Sequence, residues 1–195
     1  MSRWEPNARG RLEQAALELY AERGFDDTTV ADIAERAGLT KRTFFRHFTD
    51  KREVLFSGQT LLAEAYAAAV AAAPASATPM DAVADGLRAV AAIVEDRGEL
   101  ARRRQAIVAA NRELQERELL KRAALAGVIV DALRARGVAD PVASLTAETA
   151  VAVFKIAYAQ WSTTENTALT TLIDQALGQL SAATANGASA SGPAG

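Results

Sequence analysis

Two short amphipathic segments meet at Ala37-Gly38-Leu39 inside TVADIAERAGLTKRTFFRHFTD, residues 29–50, and this junction constrains the chain more than any other feature. Val30, Ile33, Ala34 and Ala37 fall on one helical face, and Thr29 with Asp32 three residues on has the form of a capping box. Gly38 permits a sharp turn, Leu39 can plug the gap between two helices, and Thr40 suits the cap of the next. That helix is short, Lys41 to Phe48. Phe44 and Phe48 lie one turn apart and must face inward with Phe45 beside them, which leaves Lys41, Arg42, Thr43, Arg46 and His47 for the remaining surface. The expectation is a helix-turn-helix that sets those five residues against nucleic acid.

A formal charge of -2 looks wrong for such a role, but binding depends on where charge sits rather than on its sum. From Arg36 to Arg52 there are six basic residues (Arg36, Lys41, Arg42, Arg46, Lys51, Arg52) against one acid, Asp50. The chain has no cysteine and a single histidine, which excludes disulfides and thiolate chemistry and removes the usual clustered-imidazole metal sites. No cofactor, metal site or catalytic set is expected. Neither a secretory signal in MSRWEPNARGR nor an apolar run near the ~20 residues of a membrane span is read, so a cytoplasmic protein without a membrane partner is expected.

No run of alternating β-branched residues suggests a sheet, and the fold class expected is all-α. Leu12, Ala15, Ala16, Leu19 and Tyr20 mark a first helix from Arg9 to Arg23, ended at Gly24. Asp50 and Glu53 form a second capping pair that opens a long helix toward Ala73, and APASATP, residues 73–79, is a loop. Further helices follow over 80–96, 99–110 and 112–136. After Pro141, Ala147, Val151, Phe154, Tyr158 and Trp161 step by four and three, and a last helix carries Leu169, Leu172, Ile173, Ala176, Leu177 and Leu180. This divides the chain into a three-helix head (1–56), a helical bundle (57–181) and a small, polar, disordered tail (182–195). Residues 1–8, with Arg3 and Trp4, are read as mobile until a partner orders them.

Thr29, Ile33, Ala34, Ala37, Gly38, His47, Phe48 and Lys51, with Leu39 and Thr40 in place of Val and Ser, match the motif of the TetR (tetracycline repressor) family, which residues 9–56 resemble. Phe45 stands where the family commonly has Tyr, and Arg42 where it often has Gly, so the tyrosine's phosphate contact is not carried over. The resemblance implies a homodimer on double-stranded DNA whose two short helices enter successive major grooves of a pseudo-palindromic operator. It also implies a transcriptional regulator, a repressor released when a small-molecule effector binds the bundle. An eight-residue helix spans only ~12 Å, so one copy reads too few base pairs to be selective.

With that frame, Arg42 is the first choice for a bidentate contact to guanine O6 and N7, worth ~1 to 3 kcal/mol against a wrong base. Lys41 and Thr43 are weaker candidates for bases or phosphates. Thr28, Thr29, Thr40, Arg46, His47 and Lys51 suit phosphate. His47 has a second reading, as a packing residue among phenylalanines. Phe154, Tyr158 and Trp161 either line a ligand cavity, with Tyr66, or form core and dimer contacts, and the last two helices are the expected self-association face. The arginines Arg97, Arg102, Arg103 and Arg104 are read as a solvated face rather than an anion site. A ligand-independent DNA binder, or an enzyme using the bundle's cavity, are the rival functions; the bundle holds no Ser-His-Asp set and no glycine-rich phosphate loop. Arg42→Ala is expected to relax preference at one operator position, and Lys51→Ala to weaken binding to all sequences and flatten its salt dependence, both measured by titrating DNA at several salt concentrations.

Overall fold

The structure, a computed structural model, describes residues 7–188, with side chains to residue 185; Arg3, Trp4 and the rest of 1–6 lie outside it, as do residues 189–195. All regular structure among the described residues is helical, in ten segments: α1 (Ala8–Arg23), α2 (Val30–Arg36), α3 (Lys41–His47), α4 (Glu53–Phe56), α5 (Gln59–Ala72), α6 (Pro79–Asp96), α7 (Gly98–Ala110), α8 (Arg112–Ala135), α9 (Val142–Thr163) and α10 (Leu169–Ala188). They form two compact units. One holds residues up to Leu61 with Arg97–Lys121, the other Leu62–Asp96 with residues from Arg122 onward.

In the first unit α1 is the central element, packed by α2, α3, α4 and α7. The apolar faces read from the sequence meet here. Leu12, Ala16, Ile33 and Phe44 are wholly enclosed, and Phe48, Phe56, Leu19 and Tyr20 surround them. Ile107 and Val108 of α7 and Leu114 of α8 join the same core, so the head is completed by two helices from farther along the chain. Of the arginines before them, Arg97 and Arg103 are exposed and paired with acids, as on a solvated face, whereas Arg104 is turned toward the core. Arg104 donates to the Leu55 carbonyl (2.8 Å), lies 5.0 Å over the Phe56 ring and sits 3.3 Å from both Glu118 oxygens, while Arg103 pairs with Glu99 and Arg97 with Glu13.

The single helix expected from Asp50 to Ala73 is broken at Ser57-Gly58 into α4 and α5. Side chains of the first unit hold the break. Arg9 donates to the Ser57 carbonyl (2.8 Å), the Ser57 hydroxyl donates to Glu13 (2.7 Å), and Arg97 binds the other Glu13 oxygen (2.6 Å).

In the second unit α6, α9 and α10 pack on one another. Ala143, Ala147, Ala150 and Ala157 form the buried line of α9, small enough for neighbouring helices to approach closely. Together with Val153 and Trp161 they use the apolar content of α9 for packing. Contrary to the sequence reading, α9 and the stretch 53–72 are long and apolar enough to cross a membrane by length and composition alone. The end of α8 is closed by Gly137 (φ 86°), with Val138 donating to Leu133 and Gly137 to Arg134, and Arg136 caps the carbonyls of Val70, Ala73 and Pro74. α10 continues to Ala188, past the expected helix end near 181, because Ala182, Ala183 and Ala185 are strong helix formers.

Tyr66 fills the space beside Gly86. A methyl group on Gly86 would stand 2.8 Å from the Tyr66 ring, and the tyrosine hydroxyl already donates to the Val83 carbonyl (3.0 Å). The ring cannot retreat without losing that bond. Gly86→Ala should therefore destabilise the protein by about 1–3 kcal/mol despite its higher helix propensity, seen as a lower urea midpoint at unchanged slope.

Candidate nucleic-acid interface

The interface begins with the turn that joins α2 to α3. Gly38 adopts φ 63°, its N–H donates to Glu35 (2.9 Å), and Leu39 N–H donates to Ala34 (2.8 Å), a closed helix end that the sequence Ala-Gly-Leu supports. Arg11 from α1 donates to the Ala37 carbonyl, and Leu39 packs against the core. Both helices are capped by threonine. Thr29 and Asp32 form the reciprocal capping box read from the sequence, and Thr40 accepts from Thr43 N–H (3.1 Å).

α3 turns Phe44 and Phe48 inward, their ring centroids 5.4 Å apart, with the Arg9 guanidinium 5.4 Å over Phe48. Phe45 does not follow them. It is 57% exposed, edge-on to Phe44, because it lies about 100° around the helix from Phe44 and away from α1. It shares the outer surface with Lys41, Arg42 and Arg46, and those three cations are exposed and make no hydrogen bond or ion pair among the described residues.

The other basic residues of the 36–52 stretch are engaged. Arg36 forms a two-pronged pair with Glu22 (2.9 and 2.8 Å), and Arg52 binds Asp50 and Glu113. Lys51 is turned inward: its ammonium donates to the carbonyls of Phe25 (2.8 Å), Asp26 (3.1 Å) and Thr28 (2.9 Å) and lies 4.4 Å over the Phe25 ring. A phosphate contact for Lys51 is corrected on this ground, since an ammonium has three protons and all three are directed at carbonyls. Thr28 is corrected as well, being wholly buried with its hydroxyl donating to Gly24 (2.8 Å).

Thr29, Thr40, Thr43 and His47 stand between these cases. The Thr29 hydroxyl donates to Asp32 (2.7 Å) and must release it to reach a phosphate. Thr40 and Thr43 share one hydroxyl–hydroxyl bond (3.0 Å), which leaves one of their two protons to point outward. His47 is half-buried, and its Nε2 is shut off from solvent without a partner among the described residues.

Of the four residues expected at a ligand cavity, Tyr66 is a core residue enclosed by protein, with its hydroxyl bound. This corrects its assignment. Phe154, Tyr158 and Trp161 form a stacked ladder with centroids 5.6 and 5.7 Å apart, Tyr158 and Trp161 buried and Phe154 half-buried. A groove of about 440 Å³ in the second unit lies elsewhere, between Met80, Ala84 and Arg88 of α6, Thr149 of α9, and Leu177 and Leu180 of α10. Sequence reasoning did not find it, because its lining comes from three helices at irregular intervals.

A helix-turn-helix with a capped turn and a cationic second helix, set in one of two helical units, defines the class of helix-turn-helix proteins. Residues 13–57 match the model for bacterial regulatory proteins of the tetR family, and residues 77–185, more than half of the chain, match that for the MftR C-terminal domain. The chain belongs to the TetR family. It is 42% identical over 92 residues, 47% of its length, to the HTH-type transcriptional regulator TcmR of Streptomyces glaucescens, and the match spans 40% of that protein. The structure is similar to FadR of Bacillus subtilis in complex with stearoyl-CoA (20% identity, TM-score 0.60, covering 88% of this chain and 96% of that one). It is also similar to Thermus thermophilus FadR in complex with lauroyl-CoA (23% identity, TM-score 0.55, 87% and 91%). At these identities the fold is what is shared.

Asp50 closes the interface by capping α4 through the Glu53 N–H (2.9 Å). Partial burial pushes its carboxyl up, but hydrogen bonds from Arg52 and the Glu53 amide, with the Arg52 and Arg117 charges, outweigh this and hold it below the usual carboxylate range. A group depressed in the folded state stabilises above its unfolded value, about 3.9, and loses that contribution as pH falls through the folded value. Asp50→Asn should be less stable at neutral pH and show a flatter acid limb below about pH 4 than the parent, measured by urea unfolding across pH.

Proposed function

We propose that this chain is a homodimeric, ligand-responsive transcriptional regulator, a repressor that leaves a pseudo-palindromic operator when a small molecule binds the second unit. The observation that carries the DNA reading is the exposed trio Lys41, Arg42 and Arg46 on the second helix of the turn motif, the only cations of the 36–52 stretch without a bonded partner among the described residues. Arg42 reads a guanine, and Lys41, Thr43, Arg46, Thr40 and Thr29 hold bases or phosphates. The exposed Phe45 beside Arg42 adds an apolar contact of the kind a thymine methyl group offers.

Self-association runs through the last two helices. α9 presents Leu145 and Ile156, 66% and 61% exposed, on the side opposite its buried alanines, and an isologous pairing covers such a face in both copies. The ligand binds within the second unit and needs only to prefer the DNA-incompetent dimer by about 1–3 kcal/mol. The lauroyl-CoA and stearoyl-CoA ligands belong to proteins that share the fold alone.

Selection of bound DNA from random duplexes with the full chain should enrich an inverted repeat with half-sites about one helical turn apart, ~34–36 Å. Arg42→Ala should then lose discrimination at one position per half-site, a cost of ~1–3 kcal/mol for the preferred base, with little change at the others. Enrichment of no repeat, or unchanged preference in the variant, overturns the reading. A screen of the selected complex for small molecules that release it tests the effector half.

A further inference from the structure

Lys51 is the one basic residue of the interface segment whose charge is turned into the protein. Its three protons meet the carbonyls of Phe25, Asp26 and Thr28 at 2.8 to 3.1 Å, and Nζ lies 4.4 Å over the Phe25 ring. Its main chain is held too, since the buried Tyr20 hydroxyl donates to the Lys51 carbonyl (2.6 Å) and the Tyr20 and Phe25 rings stand 5.2 Å apart. Burial, with the Asp50 charge second, raises the Tyr20 phenol above its ordinary value, so that donor keeps its proton across the physiological range. The three carbonyls belong to the turn between α1 and α2, and Thr28 precedes the Thr29 cap of α2.

We propose that Lys51 is a positioning residue that sets the start of α2, and through the Gly38 turn the recognition helix α3, relative to α1. It makes no phosphate contact. The inference rests on the DNA-binding reading for its purpose and on the geometry above for its mechanism. Without the ammonium the Asp26 and Thr28 carbonyls lose their donor and Phe25 keeps only the Thr28 N–H (3.4 Å), the 25–28 turn loosens, and α3 is presented in a spread of orientations that lowers affinity for DNA of every sequence. A guanidinium does not replace it: the planar fork sends its donors into one plane, whereas the three carbonyls converge on a point.

The test compares Lys51→Met and Lys51→Arg with the parent full chain in two measurements. The first is amide hydrogen exchange of the free protein. Both variants should exchange about tenfold faster over residues 25–33, with α9 and α10 unchanged. The second is binding to a mixed-sequence duplex of about 30 base pairs at several salt concentrations. Both variants should bind several-fold more weakly, with the slope of log affinity against log salt unaltered. A slope reduced by about 0.9 per protomer in Lys51→Met, with exchange unchanged and Lys51→Arg restoring binding, means a phosphate contact and overturns the proposal. If Lys51→Met folds poorly, Lys51→Arg carries the comparison, because it keeps the charge and lacks only the geometry. A parent chain that binds no duplex counts against the DNA-binding function alone, since the exchange comparison reads the clamp without DNA.

Discussion

A seven-residue helix has too few hydrogen bonds to overcome its nucleation cost in water, so α3 exists only because Phe44 and Phe48 are buried against the core shared with α1 and α2. Everything proposed for the outer face depends on that burial. The two rings fix the rotation of the helix, and the rotation decides that Lys41, Arg42, Phe45 and Arg46 point away from the core. Thr40 and the Gly38 turn then set where the helix begins and at what angle it leaves α2.

Charge in the first unit is divided between two tasks by the same packing. Arg36, Arg52, Arg97, Arg104 and Lys51 are engaged by carboxylates or carbonyls and hold elements together, while Lys41, Arg42 and Arg46 are left to solvent. A protein with net charge -2 can therefore present a locally positive surface. The division also explains why the local excess of basic residues overstates the interface. Half of the six cations between Arg36 and Arg52 serve the fold.

Glu13 illustrates how the unit is tied together. Arg9, Ser57 and Arg97 converge on its carboxylate, so α1, the break after α4 and the residue before α7 share one polar anchor. Exposed ion pairs contribute little individually, but Glu13 is mostly enclosed, and a removed partner would leave a carboxylate with less solvation than it needs. Gly86 and Tyr66 play the corresponding part in the second unit through shape rather than charge.

Local patterns were legible in the sequence because their causes are local. The helical period of Val30, Ile33, Ala34 and Ala37, the Thr29–Asp32 box, the glycine turn and the inward pair Phe44 and Phe48 all depend on residues within one or two turns, and they sufficed for the all-α class and the turn motif. What a long side chain reaches is not local. Lys51 meets carbonyls some 23 to 26 positions earlier, Tyr66 is enclosed through Val83 and Gly86, the helix from Asp50 breaks because Arg9 and Glu13 bind Ser57, and α7 completes the core around α1. Only the tertiary structure decided these, because periodicity tells which face of a helix is buried, while the partner of a flexible cation or a buried hydroxyl depends on which distant backbone is folded within about 3 Å of it.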